Sequence, residues 1–352
     1  MNENVKEIVK QMTLEEKASL CSGKDFWHLK AIERLGLKPI MVTDGPHGLR
    51  KQAENSDHLG INNSVPATCF PTASATACSF DRELLIEMGT ALAQECLQEK
   101  VAVLLGPGAN IKRSPLCGRN FEYISEDPYL TGEMAAALIK GVESQGIGTS
   151  LKHFTANNQE KCRLTGNSVV DERALREIYL AGFETAVKKG KPSTIMCAYN
   201  QLNGTFCSEN KKLLTDILRT QWGFEGVVMT DWGAVDDRVD GLMAGLDLEM
   251  PSSNGMNDAR IVKAVKEGKI SEEVLDKAVE RLVYLILKGI DVEKKDFTYS
   301  QEEHQGLSKK IAEQSAVLLK NDGGILPSDK KQKAAVIGRF AKNSKISGFR
   351  FI

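Results

Sequence analysis

The chain has 352 residues, 41% hydrophobic and 26% charged, with a formal net charge of −1. No basic stripe or polybasic block stands out, which excludes an electrostatic nucleic-acid or membrane-surface partner, and no apolar run approaches the roughly 18 residues of a membrane span. The length exceeds an ordinary domain but suits one (β/α)8 barrel of about 250 residues plus an extra piece.

Residues 2–21 place Val5, Ile8, Val9, Met12, Leu14 and Leu20 at helical spacing, and Thr13 with Glu16 makes a capping box for a second short helix. This start is charged every few residues and lacks an apolar core of signal-peptide length. A cytoplasmic protein is expected, with its eight scattered cysteines reduced. There is no CxxC pair, and the five histidines have no zinc spacing, so neither a metal nor a cofactor is expected.

Strand-like runs follow at 39–44, 101–106, 149–154, 193–199, 226–231 and 244–251. Between them lie helical patterns at 72–98 (restarting after Phe80), 131–145, 172–189 and 210–221, and two more follow at 257–267 and 272–289. Strand alternating with helix predicts a parallel α/β architecture. A (β/α)8 TIM-like barrel is preferred over an open sheet because no GxGxxG turn accompanies the first strand. The long loop 107–128, rich in Arg, Asn, Phe and Tyr, is a functional loop and not a linker.

The division expected is a catalytic barrel over 1–290, a linker and helix over 291–330, and the truncated start of a second α/β sandwich domain over 331–352. Residues 291–305 read as the polar linker, 306–320 as its helix and 334–338 as the first strand of that second unit.

Four of the runs share a grammar: apolar residues ending in chemically capable side chains. They end at Asp44, at Lys152 and His153, at Met196 through Tyr199, and at Asp231 and Trp232. Parallel strands of this kind deliver such residues to one rim of a sheet. Each also has a plainer reading. Asp44-Gly45 is a turn former, Arg119 and Glu122 a loop ion pair, Lys152 and His153 satisfied structural groups, and Met196, Cys197 and Met229 strand core.

Six segments together resemble glycoside hydrolase family 3 of the β-glucosidase type, in family order. They are VTDGPHGLR (42–50), GPGANIKRSP (106–115), GRNFEYISEDP (118–128), KHFTANNQE (152–160), MCAYN (196–200) and VMTDW (228–232). The resemblance implies a (β/α)8-like barrel followed by an α/β sandwich, and hydrolysis of terminal non-reducing β-D-glucosyl residues with retention. It implies Asp231 as nucleophile. It also implies that Asp44, Arg50, Arg119, Lys152, His153 and Tyr199 bind the sugar, while Met196 and Trp232 shape the pocket. The partner is then a β-glucoside or oligosaccharide, with no nucleic acid and no membrane.

In that family pattern KHFTANNQE places the general acid/base, a Glu, in the second domain. The acid is therefore expected to be missing from this chain or supplied by a companion fragment, and Glu122, Glu126 and Glu160 are not promoted to the role. A nucleophile must be ionised, so Arg119, Lys152 and His153 are expected to hold the Asp231 carboxyl down. Two alternatives stand beside this reading: a catalytically impaired sugar-binding remnant or half of a two-chain enzyme, and a Schiff-base lyase acting through Lys152.

Overall fold

The computed structural model describes residues 3–52 and 63–338. Five strands, β1 (Met41–Asp44), β2 (Val101–Leu105), β3 (Gly148–Phe154), β4 (Thr194–Cys197) and β5 (Val227–Thr230), form one sheet in that order, with every pair parallel. Every residue of β2 through β5 is buried, Lys152 and His153 of β3 included. That matches the near-continuous apolar runs of β2, β4 and β5, the pattern of strands covered on both faces, whereas β3 buries polar side chains as well.

The sheet curls and closes. Residues 246–249 run beside β5, with Leu248 N donating to Val228 O at 3.0 Å and Thr230 N to Leu248 O at 3.0 Å. An N-terminal hairpin completes the ring. Ser22 pairs in parallel with Glu249, Gly23 pairs antiparallel with Leu29, and His28 pairs antiparallel with Met41 of β1. The result is a TIM-like barrel in which the last three positions are irregular. The expected strand at 244–251 is present as pairing but not as a regular strand, and the hairpin at 21–29 carries no periodicity that would have announced it. Arg238, 1% exposed, clamps this seam: it donates to Cys21 O at 3.2 Å, to Leu246 O at 3.3 Å and to Asp247 O at 2.8 Å.

Helices form where the sequence starts them. The Thr13–Glu16 capping box opens Leu14–Leu20, Asp81 caps Arg82–Gln98, and Asp127 caps Pro128–Glu143 with proline in the first turn. The last two pack backbone to backbone. A Cβ on Gly89 would stand 2.5 Å from Leu138 O, so only glycine permits the approach.

Two differences from expectation lie near the C-terminal side. The helix expected at 306–320 runs over Gln301–Gln314, because Ser300 accepts from the Glu303 amide and because His304 and Ile311 are buried. Residues 334–338 form no strand and are exposed, and the rest of the expected second-unit start, 339–352, lies outside the described residues. A small three-stranded sheet, absent from the sequence reading, takes one strand from the segment after β3 (Asn167–Ser168) and two from the segment after β4 (Gln201–Leu202, Thr205–Phe206). Among the described residues all eight cysteines are free, and no helix is long and apolar enough to cross a membrane.

Candidate active site

The C-terminal ends of the barrel strands open into a cavity of about 390 Å³. All nine residues singled out from the sequence line it: Asp44, Arg50, Arg119, Lys152, His153, Met196, Tyr199, Asp231 and Trp232. A strand end is a rigid platform, so Asp44, Lys152, His153, Met196 and Asp231 inherit their positions from the ladder beneath them, whereas Arg50 and Arg119 are brought in by loops.

Asp231, 8% exposed, follows β5 directly and is tied to β4 by its amide, which donates to Cys197 O at 3.1 Å. Its two oxygens differ. Oδ1 accepts the Trp232 amide at 2.8 Å, whereas Oδ2 is buried with no hydrogen-bond partner among the described residues. A buried carboxylate oxygen without a protein partner is costly, and here the oxygen belongs to a residue that lines the cavity. Trp232 is fixed by its indole, which donates to Phe26 O at 2.8 Å, and by Tyr199, whose hydroxyl donates to Trp232 O at 2.9 Å.

A buried ionic chain lies beside the carboxylate. Arg119 Nε donates to Glu122 Oε1, and a terminal nitrogen of Arg119 lies 2.8 Å from His153 Nε2. Lys152 Nζ donates to Asp44 Oδ1 at 3.1 Å and lies 3.8 Å from Glu122 Oε2, while Arg50 approaches Asp44 Oδ2 at 3.8 Å. The loop ion pair of the plainer reading, Arg119 with Glu122, is thus present, and it is buried, its side chains 7% and 4% exposed.

The guanidinium fixes the histidine's tautomer. Arg119 only donates, so His153 Nε2 accepts and the ring proton sits on Nδ1, facing the Tyr123 hydroxyl at 3.0 Å. Burial, with Arg119 and Lys152 adding to it, holds His153 well below its ordinary pKa. The ring is neutral and does not serve as a cation to Asp231, 3.5 Å away, contrary to expectation.

The Asp231 carboxyl also departs from expectation. Burial pushes it above the ordinary carboxylate value, although Arg119, Lys152 and the Trp232 amide pull the other way. Desolvation outweighs the cations. Burial and the neighbouring Asp231 charge raise the Tyr199 hydroxyl, which keeps its proton.

Sequence reasoning missed several lining residues. Arg163 stacks its guanidinium 4.7 Å over the Tyr199 ring and pairs with Glu160 at 2.7 Å. Phe26 and Trp27 come from the closing hairpin, with Trp27 5.4 Å from the Trp232 ring. His47 accepts the Ala73 amide at 2.9 Å, and burial pushes its pKa down to about 4. His47 stood within the motif VTDGPHGLR and was legible as a candidate; Arg163, Phe26 and Trp27 depend on loops whose approach no local pattern encodes. No group of three His, Cys, Asp or Glu side chains gathers as metal ligands would among the described residues.

Comparison with known proteins places this geometry in context. Residues 53–285 match the Glycosyl hydrolase family 3 N terminal domain. The chain is similar to thermostable beta-glucosidase B of Acetivibrio thermocellus, 59% identical over 345 residues, covering 98% of this chain and 46% of that protein. It is also similar to the exo-alpha-(1->6)-L-arabinopyranosidase of Bifidobacterium breve, at 50% identity over 99% of this chain and 47% of the relative. The crystal structure of the GH3 beta-glucosidase of Bifidobacterium adolescentis superposes with a TM-score of 0.90 at 50% identity, covering 96% of this chain and 48% of that one. The chain thus spans about half the length of the curated relatives it matches.

Proposed function

The chain belongs to glycosyl hydrolase family 3, and on that premise we propose that it carries the glycone site and nucleophile of a retaining β-glucosidase. The observation that supports this most directly is the buried, unpaired Oδ2 of Asp231 in a cavity lined by hydrogen-bond donors. Asp231 Oδ2 attacks the anomeric carbon while the bond to the leaving oxygen breaks and its electron pair departs with that oxygen. Water then cleaves the glycosyl ester, giving net retention. Lys152, Arg50 and Arg119 donate to sugar hydroxyls, Asp44 accepts from them, and Trp232 offers an apolar face to the C–H side of the ring. Met196, buried at the end of β4, lines the same cavity.

A 2-deoxy-2-fluoro β-glucoside with a dinitrophenolate leaving group tests the assignment. Mass spectrometry of the digested protein should find the sugar on the peptide carrying Asp231; a label on another residue would remove Asp231 from the role. Glucose binding without labelling or turnover would instead favour a sugar-binding chain.

No described carboxylate is assigned as general acid: Glu122 is held by Arg119 and Lys152, and Glu160 by Arg163. General acid assistance contributes about 10²- to 10⁴-fold, least where the leaving group needs no proton. The chain assayed alone is accordingly expected to cleave a dinitrophenyl β-glucoside at least about 10²-fold faster than cellobiose. Equal rates would place a working acid among these residues. The 50% identity to an arabinopyranosidase makes α-L-arabinopyranoside the second glycone to assay, since it lacks the C5 hydroxymethyl and differs at C4.

A further inference from the structure

We propose that Glu95 and His304 are positioning residues for the substrate cavity, acting through the backbone of residues 68–70 at its rim; this rests on the glycosidase reading above. Glu95 is 1% exposed on the helix Arg82–Gln98, an unusual place for a carboxylate. Its two oxygens lie 3.3 and 3.2 Å from the Thr68 amide that donates to them. The same carboxylate meets His304 Nδ1 at 2.8 Å, and the other ring nitrogen lies 3.0 Å from Gln94 Oε1. His304 belongs to the helix Gln301–Gln314, more than 200 residues further along the chain. That helix grips the rim a second time, through Ser308 Oγ donating to Cys69 O at 2.8 Å.

The far side of residues 68–70 bears on the glycone-binding loop. The Phe70 amide donates to His47 O at 2.8 Å, and a Cβ on Gly48 would stand 2.5 Å from Thr68 O. The loop between Asp44 and Arg50 is closed by the Arg50 amide donating to Asp44 O at 3.0 Å. Contacts therefore run unbroken from His304 through Glu95 and Thr68 to the two residues that would hold the sugar. Neither Glu95 nor His304 lines the cavity. Loosening the strut lets Asp44 and Arg50 drift while the nucleophile, carried by β5, stays in place, so the effect falls on substrate binding and not on the chemical step.

The test uses the full chain with His304→Leu, His304→Asn and Ser308→Ala, each checked for a cooperative thermal transition. His304→Leu is expected to raise KM for the dinitrophenyl β-glucoside by about 5- to 20-fold with kcat within about twofold of the parent. His304→Asn, whose amide N–H can replace Nδ1–H, should return KM to within about threefold. Ser308→Ala, at a solvent-facing bond, should raise KM by about twofold and keeps the test alive if His304→Leu does not fold. An unchanged KM in a folded variant, or a fall in kcat alone, overturns the proposal. If the parent shows no turnover, the glucose dissociation constant read from indole fluorescence replaces KM: a matching shift supports the strut although the catalytic reading has failed, and no shift, or no glucose binding by the parent, removes it.

Discussion

Replacing Asp231 by Asn is expected to lower kcat on activated aryl β-glucosides by on the order of 10⁴-fold or more while raising the melting temperature at neutral pH. Asparagine keeps an oxygen for the Trp232 amide but cannot attack the anomeric carbon, so the kinetic loss follows from the role. The gain in stability follows from the environment. Burial holds the folded-state pKa of Asp231 above its ordinary value. Such a group favours the fold when protonated, below its unfolded pKa, and loses that contribution as pH rises through the folded pKa. At neutral pH the ionised carboxylate is therefore a cost that asparagine removes. Melting curves of both proteins across acid to neutral pH should show the gap widening as pH rises. A variant that melts lower than the parent at neutral pH would contradict the direction of the shift.

The second large effect is expected at Arg119. Arg119→Met leaves Glu122 buried with only the more distant Lys152 opposite it, and breaking one partner of a buried pair costs about 3–5 kcal/mol. Removal of a fixed cation from the cavity should also lower kcat/KM by roughly 10²- to 10³-fold. The double variant Arg119→Met with Glu122→Gln discharges the stranded carboxylate. Urea denaturation should show much of the stability restored while activity stays low. If the single variant is as stable as the parent, the pair is not the buried unit described. If the double variant regains activity, Arg119 acts only by neutralising Glu122.

The ends of β1, β3, β4 and β5 were legible because a parallel strand buried on both faces is mostly apolar, so Asp44, Lys152, His153 and Asp231 stand out at its C-terminal end, and four such ends together outweigh the plainer reading that each one has alone. The geometry around them was not. His153 reads as a cation on paper, yet the nearby guanidinium and its own burial make it neutral, and both depend on a loop folding back over β3. Charges were countable in the sequence, whereas desolvation, which decided the Asp231 shift, is a property of the closed cavity. Arg163 and the Glu95–His304 contact escaped for the same reason: each joins segments with no shared periodicity. The expected helix at 306–320 began at Gln301 instead because its anchor is a buried histidine, a residue type that polarity alone assigns to a linker.

The seam of the barrel has a consequence for biogenesis. Cys21 and Arg238, which meet across it, are separated by 217 positions. At about 5–20 residues per second, a ribosome takes roughly 10 to 40 s to supply the second after the first. Until then the hairpin at 21–29 has no partner for its Ser22 edge, which pairs with Glu249 in the closed ring, and an unpaired edge is the condition under which strands recruit foreign partners. Any sheet formed before the ring can shut carries open edges for that window of synthesis, and its exposure to aggregation ends when residues 238–249 arrive.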